Sequence, residues 1–408
     1  MLLVRVMGPA EFGMVSVGFA SSILLDSVLG AAIDMSVFRL APLYSSENPL
    51  RARQIEQAGI LLKFGGGLIL LVPLLALLSP LSSLLFQDAG QGALLLWTYG
   101  ALVGLLLIRS LQAHFQVSGR YVLYGVSDLL HTVCRFGGIG FLLFSSNDVA
   151  PSQVMAIYFF AALTVTAGGL LFWARPLLTV PFNSGALQEL LVPLRSYVPA
   201  VVAGTLASRT DMFFVTTFAG VSAAGIYGAA QMFTIIPQLL GSYVGAVFSP
   251  KILPWWQAGK LRREYPCYQF LLFLLAIALF GFVWILTGPM GGLFLPEAYQ
   301  RSSTIVLILL PAGLSAMMNF PLTIPLMLYT RPKVLLLVDI LSIPLLALSY
   351  ALALPGRGAE TAAAICSFWA ILRLFFYQGF ALQILRKDPE GAQFRLHSPT
   401  AAQEVSPK

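Results

Sequence analysis

About eleven apolar stretches of near twenty residues each, separated by short polar or turn-rich breaks, leave this chain few ways to fold. Their limits fall at about 14–36, 58–79, 92–112, 122–145, 153–174, 196–218, 224–247, 265–287, 303–328, 333–354 and 361–383. Some twenty helical residues cross an apolar slab of about 30 Å. A membrane-spanning sheet would need shorter segments of alternating polarity that close into a barrel, and these runs are continuous and too long for that. Charged residues make up only 10% of the chain, against about 25% in an average soluble domain. So few charges cannot cover a water-facing surface, but lipid can solvate an apolar exterior. The expected fold class is therefore all-α, a polytopic membrane protein.

The net charge of +7 does not mark a nucleic-acid binder, because the basic residues are scattered through short breaks instead of forming one patch. They alternate. One set of loops and span ends carries Arg39, Arg51, Arg53, Lys63, Arg109, Arg120, Arg175, Arg195, Lys251, Lys260, Arg262, Arg263, Arg331, Lys333, Arg386 and Lys387, and the other carries Arg301 and Arg357. That bias places the first set, and the C-terminus, in the cytoplasm. The polar segment 386–408 has no apolar run and reads as a disordered cytoplasmic tail. Cys134, Cys267 and Cys366 are far apart, and His114, His131 and His397 form no ligand pattern, so no metal or redox cofactor is expected. No GxxxxGK[ST] motif suggests ATP use, and the short loops hold no catalytic cluster, which argues against an enzyme.

An internal repeat divides the chain. Gly8-Pro9-Ala10-Glu11-Phe12-Gly13 and Gly220-Val221-Ser222-Ala223-Ala224-Gly225 each place two glycines five apart at the mouth of an apolar span. Repeated halves are a common transporter plan. They give an N-terminal bundle over 1–180, a C-terminal bundle over 181–385, and a break near 176–195. In that break Ala186–Leu191 is either plain linker or a short interfacial helix. A full span precedes the second copy. With a cytoplasmic C-terminus and an odd number of spans, the first copy is expected to lack most of its preceding helix, with Met1–Val6 as the remnant.

Five short segments carry a family resemblance. They are Arg5-Val6-Met7-Gly8-Pro9-Ala10-Glu11-Phe12-Gly13; Ser208-Arg209-Thr210-Asp211 followed by Gly220, Gly225-Ile226-Tyr227 and Ala229-Ala230; Leu295-Pro296-Glu297-Ala298-Tyr299; Arg331-Pro332-Lys333; and Gly356-Arg357-Gly358-Ala359. In this order and spacing the chain resembles the oligosaccharide flippases of polysaccharide biosynthesis, whose superfamily also holds multidrug extruders and lipid II flippases. The resemblance implies two six-helix bundles around a central cleft in a bacterial cytoplasmic membrane, with the first helix largely missing here. It implies a polyprenyl-diphosphate-linked oligosaccharide as substrate, moved by alternating access, with membrane lipids and a polysaccharide polymerase complex as partners. The missing helix is expected to reflect either a mis-assigned start or a true truncation, and a true truncation would leave one cleft wall incomplete and the flippase inactive.

Ionisable residues deep in spans face protein or water, not lipid. Arg209, Arg135 and Arg373 are the candidates for holding an anionic head group, since guanidinium is permanently charged and binds phosphate bidentately. Each can instead pair with an aspartate. Asp26, Asp34 and Asp211 are the candidates for a coupling cation, and Asp339 is a further buried acid. Asp26 and Asp34 lie about 80° apart around one helix, whereas Arg209 and Asp211 lie about 200° apart and do not face each other. Tyr227, Trp284, Trp369, Phe375, Phe376 and Tyr377 are either sugar-stacking or lipid-facing aromatics. Gly65–Gly67 and Gly137–Gly138 are expected to allow close helix packing. The competing function is a cation-coupled multidrug antiporter, which needs an acidic pocket.

Overall fold

The computed structural model describes residues 2–45, 47–145, 149–257, 260–287, 296–329 and 332–386. The expected tail beyond Arg386, together with Leu295 and Arg331 of the resemblance segments, lies outside the described residues. Regular structure in the described residues is helical: α1 (Leu2–Val6), α2 (Pro9–Asp26), α3 (Ala32–Tyr44), α4 (Pro49–Ala76), α5 (Leu78–Phe86), α6 (Gly92–Val117), α7 (Tyr121–Ser145), α8 (Pro151–Phe172), α9 (Arg175–Leu178), α10 (Ser184–Ala219), α11 (Val221–Gln257), α12 (Leu261–Thr287), α13 (Arg301–Tyr329), α14 (Pro332–Ala353) and α15 (Ala359–Arg386). A π-helical turn, Ser27–Ala31, joins α2 to α3, so that Pro9–Tyr44 runs as one 36-residue element. Among the described residues, 11 helices are long and apolar enough to cross a membrane. The chain is an all-α, multi-pass membrane protein, as its apolar periodicity requires.

Local chemistry sets the helix starts. Pro9, Pro49 and Pro151 occupy first-turn positions, where a missing N–H costs nothing. Glu11 accepts a hydrogen bond from Gly8 N at 3.1 Å, and Asn48 Oδ1 accepts one from Arg51 N at 3.0 Å. Asn183 caps α10, accepting from Gly185 N at 2.9 Å and Ala186 N at 3.3 Å. This cap decides the segment left open above. Residues 186–191 are neither linker nor separate helix but the first turns of α10, which continues through Pro193 and Pro199.

Helices α2 to α8 pack largely among themselves, with α6 against α8 and α2, and α3 against α4. Helices α10 to α15 do likewise, with α11 against α13, α13 against α15, and α10 against α14. Two elements join these groups. The start of α10 docks on α3 and α4 through Ala186 and Leu190, both 0% exposed. There Glu189 accepts from Tyr44 at 2.6 Å and pairs with Arg51 at 2.9 Å.

The other junction is α2 against α11, where the two copies of the repeat meet each other. A Cβ on Gly13 would stand 2.0 Å from Val221 O, and one on Gly225 would stand 1.9 Å from Pro9 O. Pro9 and Val221, like Gly13 and Gly225, hold the same places in their copies, so the crossing is locally two-fold. A self-complementary contact of this kind presents the same patch from both sides. Nearby, Tyr299 donates to Met7 O at 3.1 Å, and Gln87 donates to Thr216 O at 2.7 Å. The glycine end of the molecule is thereby closed. Of the glycines expected to allow close packing, Gly66 and Gly138 do so, since a Cβ would stand 2.9 Å from a Leu29 methyl and 2.8 Å from an Ile157 methyl, while Gly65 and Gly137 meet nothing within 4 Å. Close backbone approach falls instead at the repeat glycines and at Gly241 and Gly313, between α11 and α13.

Candidate functional site

A cavity of about 280 Å³ lies within the C-terminal group, walled by α10, α11, α13, α14 and α15. Four of the charged residues singled out in the sequence line it together: Arg209 and Asp211 from α10, Asp339 from α14 and Arg373 from α15. The packing brings Arg373 and Asp339 into contact. Arg373 Nη2 donates to Asp339 Oδ1 at 2.6 Å, and Tyr377 donates to the same oxygen at 2.7 Å. The Arg373 guanidinium also stands over the Tyr377 ring, 5.7 Å from its centroid. Gly204 opens α10 at this point, since a Cβ there would approach Asp339 Oδ2 to 3.2 Å.

Asp211 is held from α11. Tyr227 donates to Oδ2 at 2.6 Å and Gln231 donates to the same oxygen at 2.8 Å, while Oδ1 is buried without a hydrogen-bond partner. Tyr227 is fully buried, so its role here is to hold the carboxylate and not to stack on a ligand. Replacing Tyr227 with phenylalanine should lower thermal stability by about 1–2 kcal/mol, the usual cost of removing a buried donor to a charged acceptor. An unchanged unfolding midpoint would show that the hydroxyl does not hold Asp211.

Arg209 differs from Arg373. It lines the cavity, half-buried, and makes no ion pair or hydrogen bond with any described residue. Its guanidinium is close enough to Asp211 to act on it electrostatically but does not pair with it, consistent with their offset around the helix. Among the aromatic candidates, Trp369 and Tyr377 line the cavity. Trp284, Phe375 and Phe376 are exposed and do not line it.

The remaining candidates lie in the N-terminal group. Arg135 donates to Thr132 Oγ1 at 3.2 Å on its own helix, and its guanidinium sits 5.3 Å from the centroid of Tyr158. Asp26 pairs with Arg109 at 3.0 Å, and Asp34 pairs with Lys63 at 2.5 Å, with Ser110 accepting from Lys63 at 3.2 Å. The π turn leaves room for this: Gly30 Cβ would stand 2.9 Å from Asp26 Oδ1. Glu56 and His114 make a further buried pair at 2.6 Å. Sequence reasoning placed Lys63 and Arg109 among the loop and span-end charges and did not single out Glu56 or His114. Lys63 lies 14 residues into α4, about 21 Å from its start. Reading Asn48-Pro49 as a helix start would have placed it at membrane depth.

No protein-family profile matches the sequence, and no curated protein sequence matches it. Solved structures do. An inward-facing conformation of a multidrug-resistance MATE family transporter of the MOP superfamily superposes with a TM-score of 0.74 at 11% identity, over 95% of this chain and 94% of that one. An outward-facing conformation of a MATE family transporter gives 0.57 at 13% identity, over 99% and 91%. The lipid II flippase MurJ in an inward closed conformation gives 0.63 at 12% identity, over 94% and 87%. The protein is thus a polytopic helical membrane protein built as two packed helix groups. Its fold is the one shared by MATE transporters and the lipid II flippase.

Proposed function

We propose that this chain is a flippase. It moves a polyprenyl-diphosphate-linked oligosaccharide across a bacterial cytoplasmic membrane by alternating access, one helix group rocking against the other. The observation that carries this reading is Arg209, a permanently charged side chain in a cavity between apolar spans that makes no ion pair or hydrogen bond with any described residue. A guanidinium at membrane depth needs an anionic partner, and a diphosphate supplies a bidentate one. The likeness to transporters and to a lipid II flippase supports transport over catalysis, and the uncommitted arginine favours an anionic cargo.

In this reading the basic ends of the helices face the cytoplasm, and the closed glycine end is the outer gate. Asp211 is the coupling group, because it lines the cavity, makes no ion pair with a described residue and has one carboxylate oxygen without a hydrogen-bond partner. Asp26 and Asp34, each neutralised by a base, hold the N-terminal group together. Arg135 lies apart from the cavity and contacts the head group only as the cleft is traversed. The antiporter reading draws on the same carboxylates, but Asp339 is already paired and Arg209 would repel a cationic drug. Purified protein in nanodiscs should bind a polyprenyl-diphosphate oligosaccharide saturably, with affinity falling as salt rises. Saturable binding of cationic dyes, and none of the lipid, would favour the antiporter instead.

A further inference from the structure

Helix α5 ends on a residue that its own turn does not account for. Gln87 follows Phe86 with φ 58° and ψ 21°, and among the described residues it is the one non-glycine with a left-handed backbone. That conformation disfavours a residue with a β-carbon by about tenfold. Helix ends adopt it readily where glycine supplies it and a backbone hydrogen bond rewards it. The end of α6 has both: Gly119 has φ 68°, and Arg120 N donates to Phe115 O at 2.7 Å. The end of α5 has neither. The residue is glutamine, and among the described residues Asp88 N–H returns no hydrogen bond to an α5 carbonyl. The turn beyond is organised by the Asp88 carboxylate, which accepts from Gly90 N at 2.8 Å and Gln91 Nε2 at 3.0 Å, and neither bond reaches residue 87.

What holds Gln87 lies in the other helix group. Its Nε2 donates to Thr216 O at 2.7 Å. Thr216 is buried in the last turn of α10, where carbonyl groups run out of partners in their own helix. Phe86, 1% exposed, belongs to the same apolar cluster as Met212 and Val215 of α10, so the end of α5 is seated there. Gly220, which opens the second copy of the repeat, stands beside the bond: a Cβ there would lie 3.8 Å from Gln87 Oε1. The contact therefore belongs to the closed glycine end. Opening that end parts α5 from α10 and breaks the bond. Residue 87, itself exposed, is then free to return to an ordinary backbone conformation.

We infer that Gln87 is a strained latch on this gate. Its side chain ties the N-terminal group to the end of α10, and its left-handed backbone is held only while the gate is shut. Strain kept in a switching segment by its surroundings is released when the surroundings move. The latch thus holds the closed conformer with one bond while its backbone favours the open one. The inference rests on the reading of the glycine end as a gate and adds to it the residue that balances the two conformers.

The test places spin labels at Ala10 and Ser222, both exposed, in the full chain in nanodiscs, and reads the weights of the short and long distances. Gln87→Ala removes the bond and keeps the left-handed cost. The closed weight relative to the open one should fall about fivefold, the worth of one net hydrogen bond. Gln87→Gly removes bond and cost together, so its closed weight should stand about tenfold above that of Gln87→Ala. Equal weights in the two variants would overturn the inference, because the backbone would then be no less strained with the end open. A Gln87→Ala distribution identical with the native one would also overturn it, because the bond would then hold nothing. The same labels in Gly225→Ala separate the two readings. A response there with none at Gln87 rejects the latch alone, and no response in any variant rejects the gate reading and the latch with it.

Discussion

Alanine at position 209 should cut translocation of a lipid-linked oligosaccharide about 1,000-fold, the loss of roughly two charge-assisted hydrogen bonds to the cargo. It should leave the thermal unfolding midpoint within about 2 °C of the native value, because the guanidinium makes no ion pair or hydrogen bond with any described residue and acts on Asp211 only at a distance. Loss of transport without loss of stability is the signature of a group reserved for a ligand. Lysine should restore only part of the activity, since an ammonium offers no planar fork to a phosphate. The measurement is a proteoliposome translocation rate paired with a melting curve on the same preparation. A variant that transports normally, or one that fails only because it unfolds, contradicts the role given to Arg209.

The second large effect belongs to the repeat crossing. Gly225→Ala places a carbon 1.9 Å from Pro9 O, with backbone on both sides and no flexible side chain to move aside. Overpacking of this kind costs about 1–3 kcal/mol even where side chains can yield, and more where they cannot. The conformer closed at the glycine end should therefore fall to about a hundredth of its native weight relative to any conformer open there. Spin labels at Ala10 and Ser222, both exposed beside the crossing, should report a longer distance in Gly225→Ala than in the native background. Gly13→Ala should act alike, because the contact is reciprocal. Unchanged distances in both variants would mean that the crossing is not a gate.

Much of the architecture was legible in the sequence because lipid imposes a plain rule: about twenty apolar residues for each crossing. Each expected stretch corresponds to one of the 11 spans. The repeat was legible as Gly8 to Gly13 and Gly220 to Gly225, but its meaning was not. Only the fold shows that the two copies touch, so that each glycine is required by the other.

The site was half legible. Arg209, Asp211 and Arg373 stand out as charges within apolar runs, and the structure gathers them in one cavity. Which of them is free cannot be read from one dimension. Arg209 and Arg373 are both charges within apolar runs, yet Arg373 meets Asp339 across two helices and Arg209 pairs with no described acid. Lys63 and Arg109 were hidden for a related reason: charges near the end of an apolar run look like loop charges until the helix caps fix how far they sit inside. The pairing of Asp34 with Lys63 joins helices through a contact 29 residues apart in the chain, which no local pattern encodes.

The most direct test is transport itself. The chain would be reconstituted into proteoliposomes with a labelled polyprenyl-diphosphate oligosaccharide on one face, and the label reaching the other face followed over time. Parallel vesicles would be loaded with a cationic dye. The account predicts protein-dependent movement of the lipid-linked sugar, lost in Arg209→Ala, and no dye efflux. Dye efflux driven by a cation gradient, with the lipid-linked sugar left where it was placed, would contradict it.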